Sequence, residues 1–282
     1  MPPPPVSAEE ASKLVRGADK VLRKADDFPP PLVSTGLKPV FDENNCLWIV
    51  EAVYPMIPYI LGIPTTMTVY RAPDGTLTLF NALRVEESVE DEILKLGRIA
   101  HVVKLGQFHG SSDAYYVRAE KFNAPKYWTV AGGSCAEGMA ADVVLAPSGP
   151  LPVEGATFYQ LDGQPFPESI MLLPSAHGII CMATDCLMHL VSTSRVPIVG
   201  RLMLNWFGFV ANTANVPEPA PLWLRNSVRL CGKEQVQRWF DDILAMEFAH
   251  VICAHGPPAV KVSREAIGAA CTAKIDKTPG PS

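Results

Sequence analysis

The chain has 282 residues, with 24 Lys and Arg against 29 Asp and Glu, a formal net charge of -5, 48% hydrophobic and 19% charged residues. That balance excludes global disorder and suits one large core or two smaller ones. The acidic sign and the lack of a Lys/Arg cluster argue against nucleic acid as a partner, and no apolar run reaches the roughly 18 residues of a membrane span.

The most apolar stretch, Ile170 to Leu190, is broken by Pro174, His177 and Asp185. The N-terminus opens on four consecutive prolines, Pro2 to Pro5, and has neither the basic nor the apolar region of a secretory signal. Seven cysteines without a CxxC pair read as reduced thiols, most of them core filler. A cytoplasmic protein is therefore expected.

Taken in chain order, a proline-rich tail leads into a first helix from Ser7 to about Asp27, with Ser7 and Glu10 at capping-box spacing. Phe28 to Pro31 ends it. Residues 1–36 are expected to form a tail and helical arm, packed on the main domain or on a second subunit, and residues 37–282 a single domain. Strand patterns follow at Cys46 to Val50, Thr66 to Arg71 and Thr76 to Phe80, the last two joined by the turn residues Pro73, Asp74 and Gly75. Glu87 to Leu96 reads as a helix and Ile99 to Leu105 as a strand. The order strand, strand, helix, strand signals a layered α/β sandwich.

The second half carries strand patterns at Tyr127–Val130, Asp142–Leu145, Thr157–Leu161, Ser169–Leu173 and Gly178–Ala183. A helix over Lys233–Glu247 has Val236, Trp239, Phe240, Ile243 and Leu244 on one face. A short strand from His250 and a helix over Ser263–Lys274 close the chain. Trp206, Phe207, Phe209 and Trp223 flank the prolines 217 to 221. That segment reads first as core packing, and otherwise as a lid or a homodimer contact.

His101, His250 and His177 read as structural. Asp185 and His189 are four apart, which on a helix would place them on one face. His109 and His255 each end an apolar run and precede a glycine, where rigid strands hold ligands at an accessible edge. Asp185 also follows an apolar strand, and Asp113 lies four residues after His109. Two His and two Asp at strand ends make a mononuclear metal set. A metal-free pair of Asp185 and His109 acting on Ser111 or Ser112 lacks the Gly-x-Ser-x-Gly elbow. Cys135 has no activating neighbour in sequence.

The order of these features resembles the metallo-β-lactamase fold, and more closely a divergent family within that superfamily. The matching residues are His109 and Asp113 of the first ligand loop, Asp185 after Gly178 to Thr184, and His255 in Val251 to Gly256. Asn81 stands where the family carries a structural Asp, and Phe122 to Lys126 matches a family stretch. The resemblance covers about residues 40 to 256.

It implies a four-layer α/β/β/α sandwich preceded by the helical arm. Ser111 and Ala114 replace two loop histidines, and Gln164 to Glu168 has no His where a mid-chain ligand is expected, leaving Glu168 as the nearby substitute. The resemblance thus implies a depleted site in which Asp113, Asp185 and His255 hold one zinc, iron or manganese ion. His109 would complete the coordination or stabilise an oxyanion. Two function classes follow: a single-metal hydrolase of a small ester, lactone or thioester, or a non-catalytic protein that keeps the cleft, without metal, for a small ligand or partner. An iron-dependent redox or isomerase activity is a third.

Overall fold

The structure, a computed structural model, describes residues 23–43, 45–57, 61–135, 139–164, 166–211 and 213–280. The helix expected from Ser7 therefore lies outside the described residues except at its end, where Ala25–Asp27 forms one 3₁₀ turn. From there the chain runs along the domain, Arg23 donating to the carbonyl of Arg118 and Leu32 to that of Arg84.

Seven strands form the first sheet, in chain order: β1 (Ser34–Pro39), β2 (Leu47–Ile57), β3 (Leu61–Arg71), β4 (Leu77–Phe80), β5 (Ile99–Lys104), β6 (Lys126–Val130) and β7 (Val143–Leu145). The first four pair antiparallel and the last four parallel, so β4 belongs to both regimes. The β3–β4 turn has the expected chemistry: Gly75 takes φ +83°, and the Asp74 carboxylate accepts from the Thr76 amide at 2.9 Å. Five strands form the second sheet: β8 (Thr157–Gln160), β9 (Ser169–Leu173), β10 (Ile180–Ala183), β11 (His250–Cys253) and β12 (Ala259–Val260), in the order β12-β11-β10-β9-β8.

Strand alternation sorts the second sheet into two cores. Met171, Leu173, Ile180, Met182 and Ile252 face the first sheet and meet Ile49, Tyr70, Phe80, Val103 and Trp128. Ile170, Leu172, Cys181, Ala183, Val251 and Cys253 face the other way, into helices. Those helices are α4 (Pro221–Cys231), α5 (Lys233–Ala245) and α6 (Arg264–Lys277). The apolar stripe of α5 is buried there as its spacing predicts. The outer face of the first sheet packs on α1 (Glu87–Leu96) and α2 (Asp113–Arg118) through residues such as Ile93, Tyr115 and Tyr116. The result is the expected α/β/β/α order of layers.

The helices α2, α4 and α3 (Ile198–Trp206) have no counterpart in the sequence reading. The helix α2 is only six residues long. Pro221 is the first residue of α4, where its missing N–H costs nothing, so the last of the prolines at 217 to 221 starts a helix. The helix α3 buries only Gly200 and Leu204 and turns the larger apolar Ile198, Leu202 and Trp206 to solvent, so its apolar residues do not mark the buried face.

One tight contact fixes the turn after α1 against the β3–β4 turn. A Cβ on Gly97 would lie 1.9 Å from the carbonyl oxygen of Gly75. Gly97→Ala is therefore expected to destabilise the domain by about 2 kcal/mol, seen as a fall of roughly 4 to 8 °C in thermal denaturation. An unchanged midpoint would contradict this packing.

Candidate metal centre

The parallel strands β10 and β11 are in register, Ala183 opposite Cys253. Each is followed two residues later by a polar side chain, Asp185 and His255, which the register brings side by side. From the first sheet, Asn81 follows β4 and His109 lies in the loop after β5. The two sheets are tied at this edge: the Thr66 amide donates to the Ala254 carbonyl at 2.8 Å, and the Thr66 hydroxyl to the Gly256 carbonyl at 2.8 Å.

The result is a trio. His109 Nε2 and His255 Nε2 each lie 3.4 Å from Asp185 Oδ1. One ligand atom from each of the three residues falls within 4.8 Å of the others. The outer ring nitrogens settle the tautomers. His255 Nδ1 faces the Pro64 carbonyl at 2.8 Å, and a carbonyl can only accept, so Nδ1 carries a proton. Asn81 gives its amide N–H to the Thr66 carbonyl at 2.7 Å, which leaves its oxygen to accept from His109 Nδ1 at 2.9 Å. In the neutral rings both Nε2 lone pairs are thus aimed inward, as in histidines that bind metal.

The surrounding charges are arranged around Asp185. Burial would push its carboxyl up, but His109 and His255, when Nε2 of each carries a proton instead of a metal, outweigh that and hold it well below the usual carboxylate range. Glu168 is fully buried behind it and is pushed well above that range, by burial and then by the charge of Asp185. Its carboxyl receives the amides of Asp185 at 3.1 Å and Cys186 at 3.4 Å, and the Thr184 hydroxyl. Glu168 therefore braces the Asp185 loop through these three hydrogen bonds and lies outside the trio. Gly106 allows this, since a Cβ there would stand 2.1 Å from Glu168 Oε1.

Asp113 is not brought to the trio, contrary to the expectation from the ligand loop. It opens α2 and turns into the layer beneath it, fully buried, beside the Lys104 ammonium and the Tyr127 hydroxyl. Its Oδ2 lies where a Cβ on Gly110 would come within 2.1 Å, so the loop closes over it. Burial pushes its carboxyl up to about 6, with Lys104 and Tyr127 pulling the other way. Lys104 in turn donates to the Ser134 carbonyl at 2.8 Å, which anchors the loop after β6.

The remaining histidines make contacts elsewhere in the fold. His101 accepts from the Trp128 indole at 3.0 Å, His177 stacks on Phe41, and His250 bonds the His177 carbonyl at 2.9 Å. The Asp185–His189 helical pair does not form, because that stretch is irregular. His189 Nδ1 instead bonds the Pro257 carbonyl at 2.8 Å and Nε2 accepts the Asn215 amide at 3.0 Å. The seven cysteines are unpaired, and burial pushes the Cys135 thiol up.

A cleft of about 430 Å³ opens onto the trio, lined by Tyr54, Ile63, Asn81, Phe108, Phe209 and Trp223 among others. The aromatic segment divides here. Phe209 and Trp223 are buried at the cleft, while Trp206 and Phe207 are exposed on and just after α3. Among the described residues, no helix is long and apolar enough to cross a membrane.

No protein-family model matches the chain, and no curated protein matches it. Solved structures do. A flavo di-iron protein variant from Thermotoga maritima is 12% identical, covers 82% of this chain and 60% of its own, and has a TM-score of 0.52. A metallo-beta-lactamase from Pontibacter korlensis is 11% identical over 86% of this chain and 100% of its own, with a TM-score of 0.50. The flavodiiron protein from Giardia intestinalis is 16% identical over 86% of this chain and 59% of its own, with a TM-score of 0.50. The chain thus has the metallo-β-lactamase fold, and spans about three-fifths of the length of the two flavodiiron proteins.

The withdrawn position of Asp113 has a pH signature. A carboxyl whose pKa is raised on folding holds its proton more tightly in the folded state, so its contribution is full below the ordinary carboxylate range and is lost as pH rises through about 6. The stability advantage of the wild type over Asp113→Asn is expected to shrink by up to about 3 kcal/mol between roughly pH 4 and 7, measured by chemical denaturation. An advantage that grows over that range would mean an ionised, ligand-like Asp113.

Proposed function

We propose that this chain binds a single divalent metal ion through His109, Asp185 and His255, and hydrolyses a small ester, lactone or thioester in the adjoining cleft. The observation that carries the reading is His109 Nε2: it is buried, its lone pair is fixed inward by Asn81, and it faces Asp185 Oδ1 at 3.4 Å without a hydrogen bond to any described residue. A buried acceptor left bare costs free energy, and a cation shared with Asp185 and His255 would satisfy it. Two imidazole nitrogens and one carboxylate oxygen suit zinc, iron or manganese.

A metal held there supplies Lewis acidity, polarising a carbonyl and lowering the pKa of water toward neutrality. The chain's own residues do the rest. Asn81 and the Pro64 carbonyl keep both imidazoles in the ligating tautomer. Asp185 provides the negative charge, and Glu168 holds the Asp185 loop by accepting from its backbone amide. The apolar cleft walls exclude bulk water from the reacting bond. Three protein ligands leave positions free for water and substrate, the pattern of catalytic rather than structural sites. The inward-turned Asp113 supports a second reading, a non-catalytic protein that keeps the cleft for binding.

The test is a hydrolysis screen of uncharged esters, lactones and thioesters with the protein supplied in turn with zinc, iron(II) and manganese(II). Metal-stimulated turnover is expected, with losses of at least about a hundredfold in Asp185→Asn and His255→Gln at unchanged circular dichroism. Asn81→Leu is expected to weaken metal affinity by roughly 10- to 100-fold, the range for residues that orient a ligand. No metal-stimulated turnover in the screen would overturn the hydrolase and leave the binding protein.

A further inference from the structure

The helix α3 is apolar on the side that faces solvent. Ile198, Leu202 and Trp206 recur every fourth residue, so they stand on one face, and they are 71%, 67% and 87% exposed. Val199 and Phe207, each half exposed, flank that face. The residues that the helix buries are Gly200 and Leu204. A helix packed on a domain ordinarily turns its large apolar side chains inward and its polar ones out. Large apolar side chains gathered outside mark a surface made to be covered.

The charges beside this face are of one sign. Between Asp185 and Glu218 the sequence has no acid, and its two bases are Arg195 and Arg201, although the chain as a whole is acidic. Both are exposed, and the Arg201 guanidinium folds back onto the Val196 carbonyl at 2.7 Å, which gathers them at the start of α3. Arg195 reaches the carbonyl of Glu51 at 3.5 Å, but the Glu51 carboxylate lies 3.7 Å from Lys38. Glu218 is buried against Lys274. The helix α4, whose Pro221 ring would lie 3.9 Å from a Cβ on Gly208, adds exposed Arg225 and Arg229 and no acid. Both ends of α3 also reach the cleft. Phe209 just past it is in the cleft wall, and Arg195 just before it lines a second cavity that shares Tyr54 and Ser111 with the cleft.

We infer that α3 seats the domain on the surface of an anionic lipid bilayer, with the cleft beside the seat. Ile198, Leu202 and Trp206 enter the headgroup region, and Arg195 and Arg201 face its phosphates. An indole suits that depth, because its ring is apolar and its N–H still finds water or a headgroup oxygen. This is attachment to one leaflet and needs no spanning helix. A second copy of the chain fits the face less well, since a two-fold contact would lay the same basic surface on itself. The inference stands apart from the hydrolase reading, because no metal takes part in the attachment.

The test is co-sedimentation of the full chain, in the presence of chelator, with vesicles of phosphatidylcholine alone or mixed with phosphatidylserine. Binding to the mixed vesicles is expected to be at least about tenfold tighter and to weaken as salt is raised. Replacing the exposed pair, Leu202→Ser with Trp206→Ser, is expected to weaken it at least about tenfold at unchanged circular dichroism. Arg195→Ala, which removes a charge from the rim and leaves the apolar face whole, is expected to weaken it about fivefold. Brominated lipid is expected to quench the tryptophan fluorescence of the wild type, and to lose that effect in Trp206→Phe although this variant still binds.

No sedimentation with the mixed vesicles, equal binding to both kinds of vesicle, or unchanged binding in the folded double variant would each overturn the inference. So would a dimer in solution, seen by sedimentation velocity, that the double variant dissociates while the wild type leaves vesicles alone. That last result would assign the face to a second copy of the chain.

Discussion

Everything in the site depends on one register. Because β10 and β11 run parallel with Ala183 opposite Cys253, the residues two beyond them, Asp185 and His255, must be neighbours. A shift by one residue would turn both away, since side chains alternate along a strand. The register is held by two cores at once. Met182 and Ile252 pack toward the first sheet, and Cys181, Ala183, Val251 and Cys253 toward the helices. The threonines of β3 then dock the other sheet on the segment following β11, with the Thr65 hydroxyl reaching the Ala254 carbonyl at 3.2 Å. Asn81 and His109 come into place on that docked sheet.

A second constraint is charge. The edge between the sheets buries three acids, Asp113, Glu168 and Asp185, and one lysine, Lys104. Buried charges are tolerable only when paired or neutralised. The structure resolves this by dividing the roles. The carboxyl of Asp185 is held low by two imidazoles, that of Glu168 is pushed up by burial beside it, and Asp113 turns toward Lys104. That division explains why the trio contains one carboxylate although three acids lie within the same layer.

Much of this was legible in the sequence and some was not, for physical reasons. The strands that carry the site were visible because both faces of the second sheet are apolar, and the α5 stripe because one face of it is exposed. His109, Asp185 and His255 stood out as polar residues at the ends of apolar runs, and the structure gathers those three. Asp113 was picked for lying four residues after His109, and sequence position cannot distinguish a side chain facing a cleft from one folded beneath its own helix. Gly110, against which its carboxyl packs, was the available hint. The bracing role of Glu168 depends on a contact between residues far apart in the chain, Gly106 and Glu168, that no local pattern encodes.

The central claim is that His109, Asp185 and His255 form one metal site that Asp113 does not share. The most direct measurement is anomalous diffraction at the zinc edge from crystals of the protein grown with zinc. The account predicts a single anomalous peak at bonding distance from His109 Nε2, His255 Nε2 and the Asp185 carboxylate, with Asp113 still turned toward Lys104. No peak at the trio, or a peak that draws Asp113 out to join it, would contradict the account.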